Sequence, residues 1–230
     1  GDTINLDPTF GILAAGDNGT ATDGNIVYQC GTINQSGSYV MNQSIINNTL
    51  IGNCINIQAQ DVTLDCVSHY ISSDDAYAGV YSTQINTTIK NCNISMLNDA
   101  SLGGMGIYLL YANNSYIFNN TLHNQAWGVG GNAENIIIDS NLIYSNGYGA
   151  FGGNGIYFTG TNNSLINNNI SNNNASGVIL FYSSFSVISN NIANSNLYSA
   201  VHLITSTNNN FTDNNFSLNN RAILPSNTSF

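Results

Sequence analysis

The side chains that could form covalent bonds to one another are concentrated near the start of the chain. All 4 cysteines of the 230-residue sequence lie within its first 92 residues. Their number is even and no CxxC pair occurs, which favours structural disulfides over a metal site. The four are Cys30, Cys54, Cys66 and Cys92.

Metal-ligating side chains are scarce. Cys66-x-x-His69 is the only spacing typical of metal ligands, and the isolated His123 and His202 add no cluster to it. The sequence therefore predicts neither a metal nor another cofactor.

Asparagines in N-x-S/T motifs could carry N-linked glycans in a secreted protein. Asn makes up about a fifth of the chain and Ser plus Thr another fifth, so chance alone would give roughly eight such motifs. The sequence holds 14, and the excess indicates a glycosylated extracellular protein, with composition as the alternative explanation. The motifs begin at Asn18, Asn34, Asn42, Asn47, Asn86, Asn93, Asn113, Asn119, Asn162, Asn169, Asn174, Asn210, Asn215 and Asn227.

An internal repeat tells which elements position these residues. A small residue followed by a β-branched one recurs at steps of 22 to 27 residues, and two further apolar positions follow in each repeat. The apolar pieces are too short for helices and are rich in Ile, Val, Tyr and Phe, so each repeat predicts three short strands. The small residues are Gly79, Gly106, Gly128, Gly155, Gly177, Ala200 and Ala222.

Three strands in each repeat of this length predict an all-β fold, a right-handed parallel β-helix with about 22–27 residues per coil. We expect the β-helix over residues 30–224, after an extended arm or cap over 1–29 and before a tail over 225–230. Stacked coils lie about 4.8 Å apart, within reach of a disulfide. The separations of 24 and 26 residues therefore predict Cys30–Cys54 and Cys66–Cys92 pairs, among the three pairings possible.

One polar column also repeats, two residues before the third apolar position of each coil. Asparagine tolerates the left-handed backbone of a tight turn, and its amide can donate and accept along the stack. We expect each asparagine of this column both to adopt the left-handed backbone and to form one rung of a hydrogen-bonded asparagine ladder. The predicted rungs are Asn120, Asn141, Asn168, Asn190 and Asn214.

The repeat units TIKNCNI, YIFNNTL, IIIDSNLI and SLINNNI resemble those of NosD-like proteins in the pectin-lyase-like superfamily. The stretch CINIQAQDVTLDC, followed by TIKNC, resembles the first coils of archaeal cell-surface and secreted members. The resemblance covers about residues 50–224 and implies the parallel β-helix. It leaves function open, because lyases, hydrolases, adhesins and structural proteins share this fold.

An active site is not expected. Members that resemble pectate lyases use a Lys or Arg base with acidic calcium ligands, but Lys90 and Arg221, the only cations, are about five coils and more than about 20 Å apart. Paired carboxylates remain as an alternative, because inverting glycoside hydrolysis needs only two. The acidic residues considered are the neighbours Asp61 and Asp65, the turn residues Asp74 and Asp75, and Asp139 and Asp213 three coils apart.

Charge excludes two kinds of partner. Charged residues make up 6% of the chain, with 2 Lys+Arg against 12 Asp+Glu and a net charge of −10. This balance argues against nucleic acid and against anionic membrane surfaces. No apolar run approaches the roughly 18–20 residues of a membrane span.

The first strand of each coil predicts an interaction surface. Aromatic and large apolar residues alternate outward there, and no N-x-S/T motif occurs within these strands. Such a stripe could bind sugar rings or another copy of the protein, or could be an ordinary exposed β face. The predicted interface residues are Tyr81, Tyr108, Tyr111, Tyr157, Ile179, Phe181 and Tyr182.

These patterns favour a non-catalytic extracellular protein, a glycosylated subunit that assembles with identical subunits into a surface filament, sheath or layer. The alternatives are a carbohydrate-binding or adhesive module and, after it, a polysaccharide lyase or glycoside hydrolase.

Overall fold

The structure is a computed structural model that describes residues 21–96, 104–147, 153–160, 162–173 and 175–226. Every regular element in these ranges is a β-strand. The strands are β1 Thr22–Asp23, β2 Ile26–Val27, β3 Gly31–Ile33, β4 Gly37–Met41, β5 Ile45–Ile46, β6 Ile55–Ile57, β7 Val62–Asp65, β8 Tyr70–Ser73, β9 Ala78–Ser82, β10 Thr88–Lys90, β11 Asn93–Met96, β12 Met105–Leu110, β13 Tyr116–Phe118, β14 Thr121–His123, β15 Trp127–Asn132, β16 Ile137–Asp139, β17 Leu142–Tyr144, β18 Asn154–Thr159, β19 Ser164–Ile166, β20 Asn169–Ser171, β21 Ser176–Phe181, β22 Val187–Ser189, β23 Ile192–Asn194, β24 Ser199–Ile204, β25 Asn210–Thr212 and β26 Arg221–Ser226.

The strands form three sheets that the chain visits in turn, and all strand pairs are parallel except β1 with β2. Sheet 1 has 9 strands, β3, β6, β9, β12, β15, β18, β21, β24 and β26; sheet 2 has 10, β1, β2, β4, β7, β10, β13, β16, β19, β22 and β25; and sheet 3 has 7, β5, β8, β11, β14, β17, β20 and β23. Successive strands of one sheet come from successive coils, which confirms the predicted parallel β-helix. We name the turns by the sheets they join, so each coil passes corner 1–2, corner 2–3 and corner 3–1.

The predicted pairs of small and β-branched residues align in sheet 1. Val80, Ile107, Val129 and Ile156 are successive register partners, and all four are fully buried. Glycine precedes each of them because the space is filled by sheet 3. A Cβ atom at Gly128, for example, would lie 2.5 Å from Cγ2 of Ile143.

The N-terminal end is closed by the chain itself. Strands β1 and β2 pair antiparallel, and β2 adds to β4 in sheet 2. The amide of Ala21 also donates to the carbonyl of Thr32 at 3.1 Å. Residues 21–29 therefore cap their own first coil, whereas the rest of the expected arm, residues 1–20, lies outside the described residues. At the other end β26 continues to Ser226, past the predicted boundary at 224.

The asparagine ladder forms at corner 2–3, with one correction. Asn191, not Asn190, is the fourth rung, because Ile170 pairs with Ala193 and not with Ile192. Ile192 points outward and is 42% exposed, whereas Ala193 is fully buried. The apolar residue chosen from the sequence was the larger one, on the wrong face of the strand.

The two tasks expected of each asparagine are divided between neighbouring residues. The rungs Asn120, Asn141, Asn168 and Asn191 are buried, and each donates its Nδ2 to the Oδ1 of the next rung at 2.9–3.1 Å. The left-handed backbone belongs to the residue just before each rung. These residues have φ between 52° and 58° and are Asn91, Asn119, Ser140, Asn167, Asn190 and Asp213.

A second ladder, which the sequence analysis missed, follows five residues after the first, at corner 3–1. Asn146 donates to Asn173, Asn173 to Asn196 and Asn196 to Asn219, at 2.9–3.1 Å between Nδ2 and Oδ1. Gln125 occupies the first position, and its backbone amide donates to Oδ1 of Asn146 at 3.4 Å. The repeated spacing of five between buried asparagines was the available signal.

Candidate functional site on the outer face of sheet 1

The predicted stripe is continuous on the outer face of sheet 1. Tyr81, Tyr108, Gly130 and Tyr157 are successive register partners, and Ile179 and then His202 continue the column. The five side chains in this column are partly exposed, Gly130 is buried, and the strand neighbours on either side of the column are mostly buried. Residues from six coils are thereby brought into one outward-facing line.

The rings of the stripe stack on one another. Tyr81 and Tyr108 have centroids 5.7 Å apart with a 25° angle between their planes. Trp127 and Tyr157 are closer, at 4.7 Å and 11°. Stacking of these two pairs covers one face of each ring.

Trp127 fills a gap that the sequence analysis left at Gly130. Its indole lies over the glycine, where a Cβ atom would come within 2.8 Å of Trp127 Cε3. The single tryptophan of the chain thus replaces the missing side chain of the column. Its Nε1 is buried and has no hydrogen-bond partner among the described residues.

The stripe is electrically neutral near pH 7. Burial raises the pKa of the Tyr108 phenol, and the neighbouring phenols of Tyr81, Tyr111 and Tyr157 raise it further. Burial also lowers the pKa of His202, and the nearby Arg221 lowers it again. Both pKa shifts favour the uncharged forms of Tyr108 and His202.

Three of the predicted interface residues lie beside this stripe, not in it. Phe181 faces outward at the end of β21, as the register partner of Thr159. Tyr111 and Tyr182 are left-handed residues of corner 1–2, with φ of 59° and 48°. The predicted interface is therefore a stripe on sheet 1 plus a separate aromatic group at the adjoining corner.

The asparagines of the predicted glycosylation motifs lie at the surface wherever they are described, and none of these is on the outer face of sheet 1. Two of them already use their amide nitrogen, because Nδ2 of Asn86 donates to Asp61 at 2.7 Å and Nδ2 of Asn119 donates to Asn91 at 2.8 Å. Asn18, Asn174 and Asn227 lie outside the described residues. The described ones are Asn34, Asn42, Asn47, Asn86, Asn93, Asn113, Asn119, Asn162, Asn169, Asn210 and Asn215.

One of these asparagines is out of line with the others at corner 1–2. Asn86 and Asn162 hold the left-handed position there, but on the coil of Asn113 the next residue, Asn114, has the positive φ, of 58°. The coil has one more residue at this corner, Tyr111, than the coils before and after it, so Asn113 precedes the column by one position.

Both disulfides join the expected partners. Cys30 is bonded to Cys54 and Cys66 to Cys92, with Cα atoms 4.5 Å and 4.7 Å apart. Cys92 stands where the ladder of corner 2–3 has its rungs, and its amide donates to Oδ1 of Asn120 at 2.9 Å. The disulfides thus hold together the coils that precede the asparagine ladders.

No metal centre assembles in the described ranges. They contain no group of three or more His, Cys, Asp or Glu side chains placed to hold a metal ion. Cys66 is bound in a disulfide, so it is not a ligand beside His69. His123 and His202 lie on different sheets.

The acidic residues considered for catalysis have structural partners. Asp65 pairs with Lys90 at 3.2 Å, and Asp61 accepts the amide of Asn86. Asp75 accepts the backbone amide of Leu50, and Asp139 accepts the hydroxyl of Tyr116 at 3.2 Å. Lys90 on sheet 2 and Arg221 on sheet 1 remain far from each other.

A polar pocket of about 150 Å³ lies next to the Cys66–Cys92 disulfide, lined by Ser68, Asn91, Asn93 and Thr121 among others. Its volume is below the roughly 300 Å³ at which small-molecule sites begin. No helix of the described part is available to span a bilayer.

Comparison with known proteins agrees with this architecture. The family model of the right handed beta helix region matches residues 131–230. The Dettilon tailspike protein superimposes with a TM-score of 0.62 at 12% identity, covering 80% of this chain and 42% of the tailspike chain. The A-module of the Azotobacter vinelandii mannuronan C-5 epimerase AlgE4 gives 0.55 at 13% identity, covering 80% of this chain and 62% of the module.

The A-module of AlgE6 from the same organism gives a TM-score of 0.51 at 14% identity, covering 77% of this chain and 59% of that one. This chain therefore spans between 42% and 62% of the length of these three proteins. No curated protein sequence matches it. Fold and family match together define a right-handed parallel β-helix protein, while the NosD-like and archaeal parts of the expected resemblance stay predictions.

Proposed function

We propose that the protein is a non-catalytic extracellular structural protein that assembles with copies of itself through the outer face of sheet 1. The observation that carries this proposal is the composition of that face. It is a neutral aromatic line from Tyr81 to His202 on which no described glycosylation motif lies. Interface cores are rich in Tyr and Trp and poor in charge, and this face has both properties.

A second copy is the partner that fits a neutral, flat stripe. Two such stripes can pack against each other around a twofold axis without bringing like charges together. Sugar binding by stacking needs an open ring face, but Tyr81 and Tyr108 cover each other, as do Trp127 and Tyr157. Two buried disulfides and the excess of glycosylation motifs support a location outside the cell.

Carbohydrate binding by the same face is the second candidate. The stripe offers the tyrosine hydroxyls of Tyr81, Tyr108 and Tyr157, whose side chains are partly exposed. The epimerase modules that share the fold are named for mannuronan, a polysaccharide. A catalytic role is disfavoured because Asp61 and Asp65, on one coil, and Asp139, on another, are engaged in structural contacts.

The test is a pair of double variants. Tyr108→Ala with Tyr157→Ala removes rings from the stripe, whereas Tyr70→Ala with Tyr144→Ala removes rings from sheet 3 and serves as the control. Sedimentation and electron microscopy of the native protein should show oligomers or filaments that only the first variant loses. A protein that is monomeric at all concentrations contradicts assembly, and binding on a polysaccharide array that only the stripe variant loses would support the second candidate.

A further inference from the structure

Three aromatic residues at corner 1–2, Tyr111, Tyr182 and Phe185, combine an unfavourable backbone with an exposed ring, and the last two belong to one turn. Phe185 has φ of 59° and is 61% exposed, and Tyr182 has φ of 48° and is 58% exposed. Bulky residues are rare in the left-handed region because their side chains crowd the backbone there. The Tyr182 ring packs edge-on against Phe181, with centroids 4.3 Å apart. Burial does not offset the strain at Phe185, so its ring is expected to have another use.

The position of Phe185 is one that the rest of the fold gives to Asn or Asp. Its left-handed counterparts on the other coils are Asp61, Asn86, Asn114, Asn135, Asn162 and Asn208. In that column Asn86 donates its amide to Asp61, and Asn135 donates to Asn114 at 3.3 Å. Phe185 interrupts the column, because a phenyl ring accepts no such bond.

The corner that carries the two rings is held firmly by the following coil. The amides of Tyr182 and Phe185 donate to the carbonyls of Ile204 and Thr207, at 2.9 Å and 3.3 Å. Between them the amide of Ser183, which is fully buried, donates to Oγ of Ser206 at 2.9 Å. The rings are therefore presented on a fixed backbone.

Asn162 lies directly next to Phe185 on the preceding coil. Its backbone amide donates to the carbonyl of Ser184 at 3.0 Å, and its own φ is 56°. It opens the motif Asn162-Asn163-Ser164. Unlike Asn86, it makes no side-chain hydrogen bond within the described part of the chain, and it is exposed, so its amide nitrogen is free for modification.

Corner 1–2 carries no charged residue on the coils of Asn162, Phe185 and Asn208, and Glu134 lies one coil before Asn162. The sequence has no Asp, Glu, Lys or Arg from residue 140 to residue 212. Hydroxyls adjoin the rings instead, with Oγ of Ser184 and Oγ1 of Thr207 3.2 Å apart. An aromatic pair ringed by hydroxyls and amides suits a neutral sugar, whose C–H face packs on a ring while its hydroxyls form hydrogen bonds.

We propose that Phe185 and Tyr182 are the platform on which the first sugars of an N-linked glycan at Asn162 pack. The bond forms between Nδ2 of Asn162 and the anomeric carbon of a phosphate-activated saccharide donor. The anomeric C–O bond breaks, the phosphate leaves with the bonding pair, and one amide proton passes to a base. The attached sugar lies about one coil spacing of 4.8 Å from Phe185, within reach of the ring.

This inference rests on the glycosylation included in the proposed function, and it is independent of assembly through sheet 1. Assembly can fail while the platform holds, and the reverse is equally possible.

The experiment is a double-mutant cycle on protein secreted from a host that performs N-glycosylation. Ser164→Ala abolishes the motif and leaves Asn162 in place, while Ser164→Thr keeps the motif and is the matched control. Phe185→Asn restores the residue type of the column, and it creates no new motif because Val187 follows two positions later. Tyr182→Thr copies Thr205, which occupies the same corner position one coil on with φ of 49°.

Glycopeptide mass spectrometry should find Asn162 occupied in the wild type and in Ser164→Thr. Loss of the glycan by Ser164→Ala should lower the Tm by about 2–4 °C, the shift expected for a contact of this size in a chain of this length. In the Phe185→Asn background the same loss should leave the Tm unchanged, and Phe185→Asn should raise the Tm of the unglycosylated protein. Tyr182→Thr should likewise reduce the Tm loss that Ser164→Ala causes.

Three results would overturn the proposal. One is an unoccupied Asn162, and another is an equal effect of Ser164→Ala with and without Phe185. The third is binding of free neutral oligosaccharides by Ser164→Ala protein that Phe185→Asn abolishes, since the rings would then serve an external ligand.

Discussion

Asn190 and Asn191 are neighbours in sequence and occupy opposite environments in the fold. Asn190 is exposed at corner 2–3 with φ of 55°, whereas Asn191 is 2% exposed. Asn191 donates its Nδ2 to Oδ1 of Asn214 at 3.1 Å and to the carbonyl of Leu165 at 2.7 Å. One residue sets the direction of the chain and the next binds the coils to one another.

This division predicts unequal effects of substitution. Asn191→Ala should destabilise the protein by about 2–4 kcal/mol, because Oδ1 and Nδ2 of the rung are lost and the buried amide of Asn168 is left without its acceptor. Asn190→Gly should be close to neutral, since glycine adopts a left-handed backbone readily. Urea or thermal unfolding measures both, and equal losses from the two substitutions would contradict the separation of roles.

The stability of the coils that are joined by disulfides should depend strongly on these covalent links. Each link closes a loop of about 25 residues, for which chain entropy suggests about 3 kcal/mol. The double variant Cys66→Ser with Cys92→Ser should therefore lower the Tm and raise amide hydrogen exchange mainly in β7, β8, β10 and β11. Exchange in β20 and β23, which are joined by both asparagine ladders, is the internal control. A uniform rise over the whole chain would show that the disulfide acts on global stability alone.

The outline of this fold could be predicted because the residues of its repeat each fit at only one position in a coil. A glycine before a β-branched residue fits where Ile143 or Ile170 fills the space, and Cys pairs one coil apart can only be bridged as observed. The sequence therefore predicts the sheets, the inward columns and both disulfides without long-range information.

The register of single coils could not be predicted so well. Around Asn191, apolar residues stand on both faces, with Ile192 exposed and Ala193 buried, so size alone indicated the wrong alignment. Trp127 was missed for a different reason. Its ring lies over Gly130, although Trp127 itself belongs to another position of the strand. The alternation of inward and outward positions along a strand does not predict such a side-chain direction.

Acid stability should depend on Asp65. Burial raises the pKa of its carboxyl, but hydrogen bonds from Asn91 and from the amide of Val67 and the Lys90 ammonium together hold it below the usual value. The stabilisation is thus complete above the unfolded-state pKa of about 3.9 and is lost as the pH falls through the lower folded-state pKa. In Asp65→Asn the free energy of unfolding should fall less steeply than in the wild type as the pH drops below about 4.

The matched control for Asp65 is Asp74→Asn, which removes an exposed carboxylate in a turn. It should leave the acid limb of the stability curve as steep as in the wild type. Because the side chains of Asp65 and Lys90 are partly exposed, the difference between wild type and Asp65→Asn should also shrink in about 1 M salt. Identical pH profiles for Asp65→Asn and Asp74→Asn at low salt would show that the Lys90 pair does not matter for folding.

Glycan occupancy should follow the hydrogen bonds of the acceptor amides, if modification takes place on the folded chain. Nδ2 of Asn86 is held by Asp61 at 2.7 Å, whereas the side chain of Asn169 makes no hydrogen bond to any described residue. We expect higher occupancy at Asn169 than at Asn86, and we expect Asp61→Ala to raise occupancy at Asn86 alone. Quantitative glycopeptide mass spectrometry measures both sites in one sample. Equal occupancy of Asn86 with and without Asp61 would mean that the donor acts before the coils have stacked, because the amide is then free in either protein.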